Sequence, residues 1–263
     1  MSLRTLQWNI GGGLIRADDA DPTNPLSYSI EGLEQIIYTI KTHGPDIITL
    51  QEVHSDDDRD QAHQIAEALG MHFVASDVYT PSHLQDGQAL GQAICSRFLI
   101  SWHTFRLFYN PQLETTSPKG ERWLSADKGV TSCHMTIQDI AINIKTCHSF
   151  PYRRFKVDPQ DPVLQPLRED MATYLKPDMP LYLLQGDLNY DERSLRPLYP
   201  QLFQDSVQEV LLEAPTTPKG RRYDHVLYRG FRHIQSIVDS SVLTDHFPVI
   251  SDFDIDQSYV AGS

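Results

Sequence analysis

Hydrophobic and polar residues follow regular patterns near the start of the chain. Residues 3–9 alternate between apolar and polar side chains, which is typical of a half-buried strand. From Leu33 to Ile40, apolar residues then recur every third or fourth position, and Gly44 follows them. This spacing predicts a helix that ends near residue 44. Residues 46–51 form a short apolar run of strand length, so a second strand is predicted there.

A second helical pattern follows an acidic stretch. Ser55 and the acids at 56–58 precede apolar residues that recur at helical spacing up to Leu69. Serine is a common helix cap, and carboxylates stabilise the amino-terminal end of a helix. We therefore interpret this stretch as the start of a helix.

The remainder of the chain combines strands with one more helix. Strands are predicted at residues 92–96, 98–108, 130–137, 140–148, 181–185, 223–228 and 247–253. Gln138 and Asp139 supply a tight turn between two of these strands, and residues 162–175 are predicted to be helical. Helix and strand units at both ends, with hairpins between them, indicate an α/β fold of two stacked sheets covered by helices. No linker divides residues 1–263, so one domain is expected.

Composition and charge limit the classes of function. The chain is 40% hydrophobic and 22% charged, and its net charge of −13 has the wrong sign for binding nucleic acid with the whole surface. No apolar run is long enough to cross a bilayer and no secretory signal begins the sequence, so we expect no membrane anchor and a cytoplasmic location. The cysteines at 95, 133 and 147 lack zinc-site spacing. They are predicted to be buried thiols, with use of one in catalysis as the alternative.

Several apolar strands end abruptly in oxygen-bearing side chains or histidine. These ends are Asn9, the pair Gln51 and Glu52, His148, the pair Asp187 and Asn189, and the pair Asp245 and His246. Each taken singly has a plain structural explanation as a turn residue, a surface acid or a buried histidine. Their recurrence favours a shared functional site.

The motifs that carry these residues resemble a known family when they are read in order. They are WN at 8–9, LQEV at 50–53, GDLN at 186–189, YDHVLY at 223–228 and TDHFPV at 244–249. This set resembles the endonuclease/exonuclease/phosphatase superfamily, which includes DNase I-like nucleases, abasic-site endonucleases, tyrosyl-DNA phosphodiesterases, neutral sphingomyelinases and inositol polyphosphate 5-phosphatases. The resemblance covers residues 3–253. It implies a four-layered α/β sandwich with the site at one end of two paired sheets.

The resemblance also implies roles for individual residues. The positions that match the family's metal ligands are Asn9, Glu52 and Asp245. Glu52 resembles the principal ligand of Mg²⁺, and Mn²⁺ is the alternative metal. The positions that match its catalytic residues are His148, Asp187, Asn189, Asp224 and His246.

Within that catalytic set, Asp187 and Asn189 resemble the pair that orients the attacking water and contacts the phosphoryl oxygens. His246 is similar to the histidine that contacts the phosphate or takes a proton, and Asp224 to the acid that holds this imidazole. His148 matches a position occupied by a second His or a Tyr, as an acid or as a phosphate ligand.

The residue types suit phosphoester hydrolysis on chemical grounds as well. Mg²⁺ prefers oxygen ligands and keeps several waters, so a sparse set of Glu, Asp and Asn serves it better than a Cys and His cage. One position departs from the family pattern, because relatives of the DNA-repair type have an acid where this chain has Gly11. A ligand near the metal is therefore either missing or supplied from elsewhere. The glycines at 11–13 form either a phosphate-binding loop or a plain flexible turn.

Basic residues cluster beside two of the proposed catalytic positions. The first cluster is Arg153, Arg154 and Lys156, the second is Lys219, Arg221 and Arg222, and a weaker third one is Lys119, Arg122 and Lys128 around Trp123. We interpret Arg153, Arg154, Lys219 and Arg221 as substrate-binding, with Tyr152, Phe155 and Tyr223 as stacking surfaces. The alternative interpretation is that these are solvated loops.

Together these features predict a Mg²⁺-dependent phosphohydrolase that uses in-line attack by water, and specifically a phosphodiesterase or nuclease acting on nucleic acid. One alternative is a hydrolase of a phospholipid or a soluble phosphate ester. Another is a binding module that has lost catalysis, although the intact set of polar strand ends argues against it. No protein partner can be inferred from the sequence.

Overall fold

The structure, a computed structural model, describes residues 2–117 and 120–255. In this part of the chain there are sixteen strands and three α-helices. The strands are β1 (Ser2–Asn9), β2 (Leu14–Ile15), β3 (Ile30–Glu31), β4 (Ile47–Ser55), β5 (Phe73–Pro81), β6 (Ala89–Ser96), β7 (Ile100–Leu107), β8 (Glu114–Thr116), β9 (Arg122–Leu124), β10 (Gly129–Ile137), β11 (Ile140–His148), β12 (Leu181–Asp187), β13 (Gln208–Glu209), β14 (Asp224–Arg229), β15 (Phe231–Val238) and β16 (Val249–Ile255). The helices are α1 (Leu33–His43), α2 (Gln61–Leu69) and α3 (Gln165–Tyr174).

Most of the strands belong to two six-stranded sheets. The strand order is β15-β16-β1-β4-β6-β5 in the first sheet and β13-β14-β12-β11-β10-β7 in the second. Both sheets are mixed, because β1 pairs in parallel with β4 and β11 pairs in parallel with β12, whereas the other neighbours are antiparallel.

The two sheets pack face to face, and helices cover their outer faces. A central apolar cluster contains residues of both sheets, among them Leu3 of β1 and Ile144 of β11. Ile40 of α1 and Ile65 of α2 pack against the outer face of the first sheet. Met171 of α3 packs against the outer face of the second sheet. The order helix, sheet, sheet, helix confirms the predicted four-layered α/β sandwich.

The layer between the sheets changes from apolar to polar along the strands. On β1, Leu3 lies in the central apolar cluster, whereas Thr5 and Gln7, further along the same face, hydrogen-bond to the other sheet. Gln185 Nε2 donates to Thr5 Oγ1 at 2.9 Å, and Gln7 Nε2 donates to Asp224 Oδ1 at 2.8 Å. A buried polar network of this kind fixes the relative positions of the strands that it joins.

Some element boundaries differ from the predicted ones. Ser55 is the last residue of β4, not a helix cap. Asp60 caps α2 instead by accepting the backbone N–H of His63, while the acids at 56–58 precede the helix in a turn. The helix predicted at 162–175 begins as a 3₁₀ turn at Pro162–Leu164 and continues as α3. Strands β5 and β15 and the short strands β2, β3, β8, β9 and β13 were not predicted.

The three cysteines are buried free thiols in β6, β10 and β11, as expected. In the described ranges, no helix combines the length and the apolar character needed to cross a membrane.

Candidate active site

Strand ends from both sheets meet at one end of the sandwich. In the second sheet, the register places His148 of β11 opposite Asp187 of β12, and Asp187 opposite Asp224 of β14. Asn9, the last residue of β1 in the first sheet, donates from Nδ2 to Asp187 Oδ2 at 3.0 Å. Residues that are far apart in the sequence therefore form one buried polar cluster.

Glu52 reaches this cluster from a local irregularity in β4. The pairing of β4 with β6 shifts register between Gln51 and Val53, and Glu52 has a φ of 52°. This left-handed conformation is strained for a glutamate. The bulge interrupts the regular alternation of side chains between the two faces of the strand, so the Glu52 side chain points in a different direction from the one that alternation would give it. As a result the carboxylate, in a residue only 9% exposed, lies 3.8 Å from His148 Nε2.

Asp187 is held by hydrogen bonds from two neighbours. Besides the bond from Asn9, its Oδ1 accepts the backbone N–H of Asn189 at 2.8 Å. Asn189 has a φ of 52°, which asparagine tolerates, and its Nδ2 donates to the Ser149 carbonyl at 3.1 Å. Burial raises the pKa of Asp187 to about 6, against the opposing effect of His246. The carboxyl group therefore titrates near neutral pH.

His246 and Asp224 form a buried pair. His246 Nδ1 donates to Asp224 Oδ2 at 3.0 Å, and its Nε2 lies 3.6 Å from Asp187 Oδ2. The backbone at His246 is also fixed, since its carbonyl accepts the indole N–H of Trp8 at 2.9 Å. Burial alone would lower the pKa of His246, but the carboxylates of Asp224 and Asp187 raise it well above the usual value. The imidazole is therefore protonated at neutral pH, with Nε2–H directed to the same cluster.

His148 has a different environment. Its two ring nitrogens both lie 3.0 Å from Lys128 Nζ, and Nδ1 is 3.4 Å from the hydroxyl of Tyr79. Burial and the neighbouring ammonium lower the pKa of His148 well below its usual value. Two carboxylates also lie near His148 Nε2, Asp187 at 3.6 Å and Glu52 at 3.8 Å, but burial and Lys128 outweigh them. The two histidines of the site thus differ in charge at neutral pH, because only His246 has carboxylates without a neighbouring lysine.

Basic side chains surround the Glu52 carboxylate. Burial by itself would raise the pKa of Glu52, but interactions with His148, His83, Lys128 and Arg154 lower it to about 2. The carboxylate is therefore ionised at neutral pH. In the described part of the chain no donor hydrogen-bonds to it, so its oxygens are free to bind a cation.

Asp245 and Asn9 carry the other oxygens that are predicted to bind a metal. No described residue donates a hydrogen bond to the Asp245 carboxylate, and burial raises its pKa. Asn9 Oδ1 accepts the Gly11 N–H at 3.1 Å and retains a second lone pair. Residues 2–117 and 120–255 contain no cluster of three His, Cys, Asp or Glu side chains able to hold a metal by themselves. A few oxygen ligands still fit Mg²⁺, which retains waters, so Glu52, Asp245 and Asn9 remain the predicted ligands.

The glycine run beside Asn9 is a buried turn. Gly11 has a φ of 53°, and a Cβ there would lie 3.0 Å from Asp245 Oδ1. A side chain at position 11, acidic or not, would therefore compete with Asp245 for space. The N–H groups of Gly11 and Gly13 already donate to Asn9 Oδ1 and to the Ile10 carbonyl. With two of its three N–H groups bonded inside the chain, the run is better explained as a turn than as a phosphate-binding loop.

Arg154 belongs to a group of side chains near the rim of the cluster. Its guanidinium carbon lies 4.6 Å from the centroid of the Trp123 ring, and its Nη1 lies 3.3 Å from His83 Nε2. His83 packs edge-on against Trp123, with 5.2 Å between ring centroids. Burial lowers the pKa of His83 to about 4, although Glu52 acts in the opposite direction. Arg154 is therefore the predicted basic residue with the clearest connection to Glu52.

The other predicted basic residues occupy the loops around the cluster. Arg221 Nη1 forms an ion pair with Asp191 at 2.7 Å, and Arg153 Nη1 lies 3.8 Å from the same carboxylate. Lys219 is exposed, and its charge lowers the pKa of Asp245, against the dominant effect of burial.

Two of the predicted stacking and basic groups need correction. Tyr152 is not a stacking surface, because it is buried and its hydroxyl hydrogen-bonds to that of Tyr199. Within the weaker basic cluster, Arg122 pairs with Glu114 on the surface, while Lys128 is buried beside His148. Lys119 lies outside the described residues.

Sequence reasoning did not find every residue of the cluster. Lys128 was assigned only to a weak surface cluster, and Tyr79 and His83 were not predicted. These three do not follow a strand end in a motif, so the sequence offered no local signal for them.

Comparisons with known proteins agree with this architecture. Residues 6–246 match the model of the Endonuclease/Exonuclease/phosphatase family. The chain therefore belongs to this family, whose members are generally hydrolases acting on phosphoester bonds. No curated protein matches the sequence significantly.

Solved structures show the shared fold at low sequence identity. An endonuclease/exonuclease/phosphatase from Beutenbergia cavernae is 17% identical, with a TM-score of 0.73 over 97% of this chain and 72% of that chain. TDP2 from D. rerio, complexed with a single-strand DNA product, is 12% identical, with a TM-score of 0.59 over 96% of this chain and 99% of that chain. A mannosyl-6-phosphatase from Bacteroides thetaiotaomicron is 16% identical, with a TM-score of 0.59 over 96% of this chain and 100% of that chain.

Proposed function

We propose that this protein is a divalent-metal-dependent phosphodiesterase that acts on nucleic acid. The observation that carries the proposal is the convergence of Glu52, the Asn9–Asp187 pair and the His246–Asp224 pair at one end of the sandwich. Glu52, Asp245 and Asn9 would hold Mg²⁺, or Mn²⁺ in its place. When bound, such a cation neutralises charge on the phosphoryl oxygens and on the leaving oxygen.

The protein's own groups would divide the remaining work. Asp187 orients the attacking water and accepts its proton, for which a pKa of about 6 is well suited. His246 is positively charged and fixed by Asp224, so it donates from Nε2 to a phosphoryl oxygen. Asn189 contacts the same phosphoryl group. His148, with its lowered pKa, is neutral and contacts phosphate rather than acting as the acid.

Nucleic acid is proposed as the substrate because basic and aromatic side chains surround the site. Arg153, Arg154, Lys219 and Arg221 lie on the loops beside the catalytic residues. Trp123, beneath Arg154, and Tyr223, with its ring centroid 6.1 Å from that of His246, offer surfaces for stacking. The D. rerio relative bound to a DNA product supports this choice.

A soluble phosphate ester is the second candidate substrate. Asp191 pairs with both Arg221 and Arg153, which reduces the local positive charge offered to a polyanion. A protein with the same fold is named as a mannosyl-6-phosphatase, and this name indicates a small phosphate ester as its substrate. Phospholipid and the inactive binding module remain outcomes of the experiment below.

A turnover panel with and without Mg²⁺ tests the proposal. The substrates are single- and double-stranded DNA and RNA, DNA ends blocked by phosphotyrosine, an aryl phosphodiester, mannose 6-phosphate, an inositol polyphosphate and sphingomyelin. We expect Mg²⁺-dependent cleavage of nucleic acid that falls by about 10³-fold or more in Glu52→Gln, since a lost ligand removes the cation. Glu114→Gln, on the surface, is the matched control.

The panel separates the alternatives cleanly. Turnover confined to mannose 6-phosphate or inositol polyphosphate would replace nucleic acid with a soluble ester, and turnover confined to sphingomyelin would indicate a lipid. Full activity in Glu52→Gln would remove Glu52 from the mechanism. No turnover of any substrate would favour a binding module.

We also propose a cytoplasmic location and a single domain over residues 1–263. Three buried free thiols suit a reducing compartment, and one apolar cluster joins both sheets. Cell fractionation that found the protein in an oxidising compartment would refute the first point. Limited proteolysis that released two stable fragments would refute the second.

A further inference from the structure

Lys128 is a buried lysine with no acidic partner among the described residues. The residue is 8% exposed, and its Nζ contacts both ring nitrogens of His148 at 3.0 Å. No carboxylate in the described part of the chain lies within ion-pair distance of this ammonium. His148 cannot be protonated at the same time without strong repulsion, so the imidazole does not compensate the charge.

A second buried lysine, Lys145, has the hydrogen-bond and ion-pair partners that are expected of a structural residue. Lys145 is 5% exposed, and its Nζ donates to the carbonyls of Tyr174 and Lys176 at 3.0 and 2.8 Å. Asp178 lies 3.8 Å from the same ammonium. An unpaired buried charge destabilises a protein, whereas the charge of Lys145 is compensated. The burial of the Lys128 charge therefore lowers the stability of the fold, and a structural role does not explain why a lysine is present there.

The backbone directs Lys128 into the active site. Its carbonyl accepts the N–H of Phe108 at 2.9 Å, and the next residue, Gly129, lies opposite His148 in the pairing of β10 with β11. The ammonium is close enough to Glu52 to lower the pKa of that carboxyl. Burial lowers the pKa of Lys128 itself to about 8, so most of it is still charged at neutral pH.

We propose that Lys128 is a substrate-binding residue whose ammonium binds an anionic oxygen of the phosphoryl group beside Glu52. This assignment rests on the proposed function, because it supposes that a phosphoryl group binds next to Glu52 and His148. A phosphoryl oxygen is a hard anion that accepts hydrogen bonds from an ammonium, and no carboxylate of the described residues accepts one from Lys128. The neutral ring of His148 positions the ammonium by accepting one of its protons.

The first test compares stability with phosphate binding in purified protein. Lys128→Met removes the charge and keeps the length of the side chain. We expect the thermal midpoint of the Lys128→Met variant to rise by about 2 °C. Lys145→Met should instead lower the midpoint by about 4 °C, because it leaves two buried carbonyls without a hydrogen-bond donor. We expect the dissociation constant for inorganic phosphate, measured by calorimetry at low salt with and without Mg²⁺, to rise by about tenfold or more in Lys128→Met.

Controls decide between a binding role and a structural one. Lys41→Met, an exposed lysine on α1, should bind phosphate like the wild type. Equal phosphate affinity in Lys128→Met and wild type, or no phosphate binding by the wild type, would overturn the assignment. A loss of stability in Lys128→Met as large as that in Lys145→Met would also overturn it by showing a structural role.

The activity of the same variants keeps this proposal separate from the proposed function. With an aryl phosphodiester, Lys128→Met should raise KM by about tenfold, and Lys128→Arg should recover part of the loss. If the wild type turned over nothing, the proposed function would fail, while the phosphate titration would still decide the role of Lys128. If phosphate binding depended on Lys128 and KM did not, the phosphate would occupy a position that the substrate does not use, and the assignment would be refuted.

Discussion

The pair formed by His246 and Asp224 acts as one unit at the residue scale. The raised pKa of His246 means that the folded protein holds this proton more tightly than the unfolded chain, in which the pKa is about 6.5. The resulting stabilisation is fully present below about pH 6.5 and is lost as the pH rises through the higher pKa of the folded state.

A double-mutant cycle tests this pair. His246→Gln and Asp224→Asn should each lower the free energy of unfolding of the metal-free protein by about 3 kcal/mol below pH 6.5, and the double variant should lose less than the sum. The coupling energy, measured by denaturant unfolding, should shrink at alkaline pH. A coupling energy below pH 6.5 no larger than that of a neutral hydrogen bond, about 1 kcal/mol, would show that His246 is not charged in the folded protein.

The predictability of the site residues depended on their position relative to strand ends. Asn9, Asp187 and Asp224 are terminal residues of strands, so an abrupt polar residue after an apolar run identified two of them, and the family resemblance supplied the third. Lys128 and His83 instead lie in irregular segments with no motif around them. These residues come close to Glu52 only when the two sheets pack together, so the pattern of residues along a single strand does not predict their position.

At the scale of the element, the bulge in β4 places the Glu52 side chain in the polar cluster but lowers the stability of the fold. A residue other than glycine at a φ of 52° is strained by about 1 kcal/mol. Glu52→Ala and Glu52→Gly both delete the carboxylate, but only glycine relieves the backbone. We therefore expect Glu52→Gly to be more stable than Glu52→Ala by about 1 kcal/mol in denaturant unfolding, with both variants inactive.

A matched pair of variants at Thr136 controls for the general effect of glycine in a strand. Thr136 is exposed in β10, pairs in regular register with Ala141 and is absent from the residues with positive φ, so Thr136→Gly should be less stable than Thr136→Ala. The order of stability should thus reverse between the two sites. The same order at both would mean that β4 does not hold Glu52 in the left-handed conformation.

Seven strands of the described residues were not predicted. Five of them, β2, β3, β8, β9 and β13, are only two or three residues long. The other two, β5 and β15, are the edge strands of the first sheet, and each has a register shift, between Val78 and Thr80 and between His233 and Gln235. A bulge interrupts the alternation of apolar and polar residues, and an edge strand is half exposed, so neither shows a clean period of two. The paired central strands β4, β11 and β12 are apolar runs, and they were predicted with errors only at their ends.

At the scale of the whole molecule, the net charge of −13 sets a condition on any polyanionic substrate. The long-range field repels nucleic acid, so attraction must come from groups near the site and from a bound cation. Arg153, which is exposed, and Arg221, which is partly buried, share Asp191 as a partner, and this carboxylate limits how much positive charge they present.

Charge reversal at Arg153 and Arg221 therefore distinguishes a polyanionic substrate from a small one. Arg153→Glu with Arg221→Glu should raise KM for an oligonucleotide by about tenfold at low salt but change KM for an aryl phosphodiester by less than about twofold, because only the longer substrate contacts these loops. The difference should diminish at high salt, where screening weakens exposed charges. Lys41→Glu with Lys176→Glu changes the net charge equally with two exposed lysines outside the proposed site, so it isolates the local effect. If the arginine variant changed KM equally for both substrates, the two loops would not contact the longer substrate. If the lysine control variant raised KM for the oligonucleotide as much as the arginine variant does, the effect would come from the overall charge of the molecule.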